Sequence, residues 1–344
     1  AILRAMTRPM IAHRSAEMRE LLARVYAALP PLAGTTRPVY VASGPATAMM
    51  EAAIRCGTRA RVLSLVAGAF GERFARIAES CGRSVTRLMA PPGSVVDAAE
   101  LEDALDHGDY DAVTAVHVET STGAIADVAA YGRAIASRRD VHLLVDAVSS
   151  LAGAPVGMDA GGMDIVLAAS QKALALPPGL SFIATSERSM VRARSLPDRG
   201  LALDVVRMDE YWRQGETAGT PAIPQLFALD AQLEAIAREG LAERYRRHER
   251  MARAVEQWVE RAGGERGVRM LARAGVRAPT VSCLELTGAA PTVVRALRER
   301  GFEVGAGYGA LAASTIRIGH MGDHTVREVR ALLAALESAL AELP

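Results

Sequence analysis

The sequence predicts an α/β fold, with a mostly parallel sheet covered by helices on both faces and a smaller α+β region after it. From residue 37 to 190, short β-type runs alternate with amphipathic stretches, and this alternation is typical of parallel strands joined by helices. Beyond residue 263 the pattern changes to a shorter mixture of strands and helices. The chain has 344 residues, half of them hydrophobic, which is enough to bury a large core.

The first region predicts strands and helices in alternation, because short apolar runs are separated by stretches with apolar residues three or four positions apart. The predicted strands cover 39–42, 62–66, 112–116, 141–145, 165–168 and 181–184, and the predicted helices cover 47–56, 70–81 and 128–138.

Between the two regions, after Pro221 and Pro224, an Arg-rich stretch predicts one long helix over about 225–262. Its arginines are expected to form a solvent-exposed face: Arg244, Arg246, Arg247, Arg250 and Arg253. Strands over 280–286 and 315–319 and helices over 292–300 and 325–343 follow. We predict a large domain over 1–240 and a small domain over 241–344, joined by the long helix.

Composition excludes several classes of protein. The formal net charge of +1 gives no footprint for nucleic acid, and no apolar run is long enough to span a membrane. Cys56, Cys81 and Cys283 are odd in number and far apart, so they form no disulfide framework or metal pair and favour a reducing cytoplasm. The chain starts in a helix-like AILRAM segment without a signal-peptide layout, so we expect the native N-terminus to be missing.

Lysine occurs once among the 40 Lys and Arg residues, at position 172. A bias that replaces lysine by arginine wherever charge alone matters makes the remaining lysine informative. Arginine cannot lose its proton or form an imine, whereas lysine can do both. A covalent step through the Lys172 amine is therefore one interpretation, and survival of one lysine by chance is the other.

Polar side chains follow four of the predicted strands, at the strand ends that meet at one edge of a parallel sheet. They fall in the segments 43–47, 117–121, 146 and 170–172. Ala46 and Thr47 open a helix and offer amides and a hydroxyl to an anion, although an ordinary helix cap fits as well. Asp146 either caps a turn or balances a protonated ring nitrogen.

Two further residues have both a structural and a functional interpretation. Arg317 lies in a predicted strand and is either exposed or a clamp for a substrate carboxylate, and Phe70 either packs in the core or stacks on a ring. Taken together, an imine-forming lysine, an anion cradle, a ring-nitrogen carboxylate and a carboxylate-binding arginine fit pyridoxal phosphate held by Lys172. No metal site is predicted.

Motifs along nearly the whole chain resemble one family. They are RPMIAHRS (8–15), SGPATAMMEAA (43–53), GAFGER (68–73), HVETSTG (117–123), VDAVSSLAGAPVGMDAGGMDI (145–165), SQKALALPPG (170–179), TAGTP (217–221) and IRIGHMGD (316–323). The chain is similar to the class V aminotransferases with the type I pyridoxal-phosphate fold, and within them to the alanine–glyoxylate and serine–pyruvate group. The resemblance implies pyridoxal 5′-phosphate as cofactor and a homodimer with active sites across the interface.

The resemblance also implies a role for each matching residue. Lys172 would form the imine with the cofactor, Asp146 would pair with its ring nitrogen, and Arg317 would bind the substrate carboxylate. The remaining cofactor contacts would be Val148 and Phe70 on the ring, Thr120 near the ring hydroxyl, Ala46, Thr47 and Gln171 on the phosphate, and Thr220 with Thr217 on the phosphate of the partner subunit.

The sequence departs from the family pattern at three places. Pro45-Ala46-Thr47 stands where Ser-Gly-Thr is usual, which removes one amide donor. The Tyr common near Thr217 is absent, and Tyr211 is only a neighbour in sequence. The N-terminal PGP segment that closes over the substrate in this family is not present in the chain.

The implied reaction is a ping-pong transamination from alanine or serine to glyoxylate or pyruvate. One alternative is a lyase or cysteine desulfurase on the same fold, but a desulfurase usually has His before the lysine, where this chain has Gln171, and its candidate thiol Cys283 lies in a predicted strand. A second alternative is a cofactor-binding protein without catalysis. An NAD oxidoreductase is disfavoured because the chain has no dinucleotide fingerprint.

Overall fold

A computed structural model describes residues 2–286 and 290–342. The predicted α/β class is confirmed by a seven-stranded sheet in the order β1-β9-β8-β7-β4-β2-β3 and a four-stranded sheet in the order β10-β11-β13-β12. The strands are β1 (Val39–Ser43), β2 (Arg61–Val66), β3 (Ser84–Met89), β4 (Ala112–Val116), β5 (Val118–Glu119), β6 (Ala124–Ile125), β7 (His142–Asp146), β8 (Ile165–Ala169), β9 (Leu180–Thr185), β10 (Val268–Met270), β11 (Val281–Leu286), β12 (Gly305–Ala306) and β13 (Thr315–Gly319).

Helices cover both faces of the large sheet. They are α1 (Ile2–Ala5), α2 (Ala16–Ala28), α3 (Pro30–Ala33), α4 (Ala46–Gly57), α5 (Ala69–Ser80), α6 (Ala98–Asp106), α7 (Val128–Ile135), α8 (Glu187–Ser195), α9 (Val205–Trp212), α10 (Ile223–Glu239), α11 (Leu241–Trp258), α12 (Ala290–Glu299) and α13 (Val326–Ala341). None of the helices in the described ranges is long and apolar enough to cross a membrane.

The large sheet is mostly parallel, as predicted, and β9 alone runs antiparallel to its neighbours β1 and β8. Alternate residues of each inner strand enter different cores. In β7, Leu143 and Val145 join the core beneath α2, α7 and α10, whereas Leu144 joins the core beneath α4 and α8. Every residue of β4, β7 and β8 is buried, which is why these strands read as continuous apolar runs in the sequence.

The expectation of one long helix over 225–262 is wrong. Two helices, α10 and α11, occupy this stretch and meet at Gly240, whose φ of 81° lies in the left-handed region. Glycine adopts that conformation without the steric cost that a Cβ would impose. The chain therefore turns at Gly240, and α11 is free to take a new direction.

The expectation of a fully exposed arginine face on this stretch is also wrong. Arg246, Arg250 and Arg253 are exposed, but Arg244 is only 1% exposed and the Arg247 side chain is largely buried. The buried residues of α11 include Arg244, His248, Met251, Val255 and Trp258. Their spacing of three and four marks a single inward face.

The second sheet builds a separate core with α11, α12 and α13. Met251 and Trp258 of α11 pack there with Leu284 of β11, Ile316 of β13 and Leu336 of α13. The proposed boundary between 240 and 241 stays a prediction. The last predicted helix reached 343, which lies outside the described residues.

The elements that the sequence analysis missed include helices α2, α8 and α9, and also β3 and α6. All six residues of β3 are exposed or half-buried, because β3 is the edge strand beside β2. An edge strand lacks the apolar run that reveals an inner strand. Helix α6 carries a capping box between Asp97 and Glu100, and this signal could have located it.

Candidate active site

The candidate site lies at one edge of the large sheet, where five neighbouring strands present their ends. Backbone hydrogen bonds join the loops there: the N–H of Gly44 donates to Gly179 O (3.0 Å), and the N–H of His117 donates to Asp146 O (2.9 Å). The strand ends that the sequence analysis singled out are therefore neighbours in space. The antiparallel β9 adds its first residue, Leu180, to the same edge.

Lys172 lies in the ten-residue loop between β8 and β9. The Ser170 hydroxyl donates to Pro177 O (2.8 Å) across this loop and accepts from the N–H of Leu180 (3.3 Å). Burial and the charge of Arg317 lower the pKa of the Lys172 amine, against the opposing effect of Asp146 and Glu119. A lowered pKa increases the fraction of neutral amine, the form that attacks carbonyl carbons and accepts protons.

Asp146 ends β7 and is 3% exposed. Burial raises the pKa of its carboxyl to about 7, against the effect of the hydrogen bond from the Val148 N–H. Within the described residues, this N–H (2.7 Å) is the one hydrogen bond that the Asp146 carboxylate accepts. A buried carboxylate with so few partners favours a nearby cation, so the N–H of a protonated pyridine ring fits its chemistry.

Phe70 lies in the first turn of α5, and buried Glu119 holds the backbone of that turn. The Glu119 carboxylate accepts the N–H groups of Phe70 (3.1 Å) and Gly71 (3.0 Å), and the Ser121 hydroxyl accepts the N–H of Ala69 (2.9 Å). Helix N-termini attract negative charge. Glu119 thus fixes the position of the Phe70 backbone at the sheet edge.

Two residues that the sequence analysis did not select surround the Phe70 ring. The Arg73 guanidinium lies 4.7 Å from the ring centroid, and the Tyr308 ring lies 5.6 Å from it, centroid to centroid. Arg73 also donates to the Tyr308 hydroxyl (2.8 Å). Arg73 and Tyr308 are 235 positions apart, so no spacing in the sequence could have paired them.

Arg317 lies on β13 and is half-buried. Its Nε donates to Ala306 O (2.8 Å), and its guanidinium carbon lies 5.4 Å from the centroid of the Tyr308 ring. Arg317 also acts electrostatically on Lys172, so the structure brings these two predicted residues together. The terminal nitrogens make none of the hydrogen bonds found among the described residues, which suits a clamp for a carboxylate.

The remaining predicted contacts to the cofactor occupy different depths. Thr120 is buried and its hydroxyl bonds to that of Ser149 (2.5 Å), while Val148 is half-buried. Ala46 is the first residue of α4, and Thr47 and Gln171 are exposed. The preceding Pro45 offers no side-chain cap to α4, which leaves its first amides to a ligand.

Thr217 and Thr220 line a cavity of about 230 Å³ together with Ser43 of the same chain. The Thr217 hydroxyl donates to Gly219 O (2.7 Å), and the Ser43 hydroxyl accepts the N–H of Ala222 (2.8 Å). The structure thus places this loop beside the end of β1. Contact with a partner subunit stays a prediction.

The sequence of this chain matches the profile described as "Aminotransferase class-V" over residues 46–332. The chain belongs to the class V aminotransferases. As an aminotransferase of this class it uses pyridoxal phosphate. The roles of Asp146, Lys172 and Arg317 toward that cofactor stay predictions.

Relatives of this aminotransferase cover nearly the whole chain. An uncharacterised aminotransferase of Methanocaldococcus jannaschii is 34% identical over 99% of this chain and 90% of its own length. The L-aspartate–glyoxylate aminotransferase of Paracoccus denitrificans is 30% identical over 99% of this chain and 88% of its own length. The crystal structure of an alanine–glyoxylate aminotransferase from Nostoc sp. superposes with a TM-score of 0.91 at 32% identity, covering 98% of this chain and 91% of that chain.

Proposed function

We propose that this aminotransferase moves the amino group of a small amino acid, alanine or serine, to glyoxylate or pyruvate in two half-reactions. The observation that carries the proposal is that the single lysine of the chain lies at the same edge of the large sheet as Asp146, with Arg317 of β13 close enough to act on its charge. The names of the Paracoccus and Nostoc relatives include glyoxylate, which supports glyoxylate as acceptor.

Each residue has a distinct task in this proposal. Bound pyridoxal phosphate supplies a carbonyl carbon and a pyridinium ring that accepts electrons. Lys172 would hold the cofactor, and its Nζ, once released, would take the proton from the substrate Cα and deliver it to the former carbonyl carbon of the cofactor. Asp146 keeps the ring nitrogen protonated, and Arg317 orients the substrate carboxylate.

The other contacts hold the cofactor in place. We propose that Phe70 and Val148 bracket the ring and that Thr120 reaches the ring hydroxyl. The phosphate would be held by Ala46, Thr47 and Gln171, and by Thr217 and Thr220 of the partner in a homodimer. Because the three cysteines are free thiols, we propose the cytoplasm as the compartment.

The absorbance of the purified protein with bound pyridoxal phosphate tests the function. We expect L-alanine to bleach the visible band and glyoxylate to restore it, with L-serine and pyruvate as the second pair. Lys172→Arg should abolish both changes, since arginine neither forms an imine nor accepts the proton. A Lys172→Arg protein that keeps a tenth of the wild-type rate contradicts the assignment, and a band bleached by L-aspartate alone replaces the proposed donor.

The structure gives no support to the desulfurase alternative. Cys283 lies in β11 and is fully buried, and burial raises the pKa of its thiol to about 11. A nucleophilic cysteine needs exposure and a lowered pKa. We expect no sulfide release from L-cysteine, and its detection would revive that alternative.

A further inference from the structure

Arg244 is a buried arginine that binds two loops of the site: the loop that follows Asp146 and the loop that contains Lys172. It lies in the first turn of α11 and is 1% exposed. Its Nε donates to Ala152 O (3.1 Å), and its Nη2 donates to Ala173 O (2.7 Å). Ala173 directly follows Lys172, and Ala152 lies in the loop that leaves Asp146 at the end of β7.

The same guanidinium reaches a third loop of the site. Its Nη1 pairs with Glu239 (2.9 Å) and with Asp323 (3.1 Å). Asp323 lies in the turn that follows β13, the strand of Arg317. Buried Gln232 of α10 also donates to Asp323 (2.9 Å), so the position of this turn is fixed from two helices.

The loop after Asp146 and the loop with Lys172, which we call the two catalytic loops, each contain an alanine in a conformation that L-residues rarely adopt. Ala152 has a φ of 66° and Ala175 a φ of 56°. Such residues cost free energy and persist only where their surroundings hold them. The bond from Arg244 to the carbonyl of Ala152 supplies such a restraint directly, and its bond to Ala173 restrains the loop two residues before Ala175.

We propose that Arg244 is a positioning residue that sets the spacing of Asp146, Lys172 and Arg317 by holding the three loops that carry or follow them. The inference rests on the proposed function, because it assigns these three residues to the reaction. Arginine suits the task because its planar fork has five N–H donors, whereas lysine offers one compact ammonium group. Arg244 itself is not placed in contact with substrate or cofactor.

Arg247 provides a matched control on the same helix. It also pairs with Glu239 (2.6 Å), and it donates to Gly322 O (3.0 Å) and His324 O (2.5 Å) of the turn after β13. Its hydrogen bonds reach neither Ala152 nor Ala173. Arg247→Met therefore removes a similar charge and ion pair while leaving the two catalytic loops attached to α11.

The single lysine allows a readout that needs no turnover. Reductive methylation of the cofactor-free protein with ¹³C-formaldehyde labels only Lys172 and the terminal α-amine, and an NMR titration follows each. The charged groups that act on Lys172 are Arg317, Asp146 and Glu119. We expect Arg244→Met to move the midpoint of the Lys172 titration by at least about 0.5 pH unit and Arg247→Met to leave it unchanged.

A second measurement uses the loaded enzyme. Arg244→Met should lower kcat per bound cofactor by at least about tenfold, since small misplacements of reacting groups are costly, and Arg247→Met should lower only the thermal midpoint. If Arg244→Met does not fold, Arg244→Gln, which keeps an N–H donor and adds no second lysine, should show the same shift. Equal Lys172 midpoints in wild type and both Arg244 variants would overturn the proposal. Absence of turnover in wild type would overturn the proposed function instead.

Discussion

At the scale of single residues, the site is defined by charges that the fold has removed from water. Asp146 is buried with one hydrogen bond, from the Val148 N–H, and its pKa is raised to about 7. Asp164 is as deeply buried, but it pairs with Arg188 (2.5 Å) and accepts the N–H of Leu143 (2.9 Å). Among residues 2–286 and 290–342, the Asp146 carboxylate forms no ion pair, whereas the Asp164 carboxylate forms one with Arg188.

The cofactor-free protein should therefore gain stability from Asp146→Asn at high pH. A carboxyl whose folded-state pKa lies above its unfolded value of about 4 stabilises the fold at low pH, and that stabilisation is lost as pH rises toward 7. Relative to wild type, the variant should gain up to about 4 kcal/mol between pH 4 and pH 8. Urea unfolding at several pH values measures this difference.

Asp164→Asn is the control for that prediction. It removes the buried partner of an ion pair whose Arg188 side chain is 41% exposed, so it should destabilise the protein by roughly 1–3 kcal/mol near neutral pH. A flat difference between Asp146→Asn and wild type across the same range would contradict the burial argument for Asp146.

At the scale of elements, short connections decide how the helices are arranged around the site. Gly240 separates α10 from α11 and gives the second helix its own direction. This turn brings the inward face of α11, with Arg244 and His248, against the loops of the sheet edge. The Nε2 of His248 accepts the N–H of Gly322 (3.0 Å), which fixes the turn after β13 from the same helix.

Gly240→Ala should destabilise the protein by about 1–3 kcal/mol, because residues with a Cβ rarely adopt its φ of 81° and ψ of 129°. Apart from its two neighbours in the chain, no atom of the described residues lies within 4 Å of the added Cβ, so we expect no clash with other segments. Thermal unfolding of the two proteins measures the effect.

Ala175→Gly is the reciprocal substitution, because Ala175 also has a positive φ, of 56°. It should stabilise the protein by up to about 1 kcal/mol. Equal stability of Gly240→Ala and wild type would show that the backbone relaxes to avoid a positive φ at this junction.

At the scale of the whole molecule, histidines are buried in or beside both sheets. Burial lowers the pKa of each to about 4: His117, His142, His248 and His320. His117 and His142 belong to the region of the large sheet, whereas His248 and His320 flank the second sheet. We therefore expect mild acid to lower the stability of both regions together.

The protein should lose stability as pH falls from about 6.5 to about 4, since these histidines are neutral when folded and protonate when unfolded. Asp146 has the opposite effect over the same pH range: its raised pKa means that the folded protein holds a proton that the unfolded chain releases. The net uptake on unfolding should be roughly two to three protons, measured from the pH dependence of the unfolding free energy. A stability that is constant between pH 7 and pH 5 would contradict the prediction.

The sequence by itself predicted the α/β class, the inner strands and the family. Inner parallel strands are apolar at every position, so β4, β7 and β8 were visible without their neighbours. Lys172 was identified because the chain has no other lysine. Its position after a predicted strand placed it beside Asp146, because ligands bind at the carboxyl ends of parallel strands. The spacing 244, 248, 251, 255 and 258 also carried a signal for the buried face of α11, although the charge of Arg244 concealed it.

Only the tertiary structure decided which partners complete the site. Arg73 meets Tyr308 across 235 positions, and Arg244 meets Ala152 across 92. Periodicity reports which face of an element is buried, but it does not report what that face contacts. Contacts between distant segments bury Arg244, hydrogen-bond Glu119 to the first turn of α5 and separate α10 from α11 at Gly240. Those contacts exist only once the chain is folded.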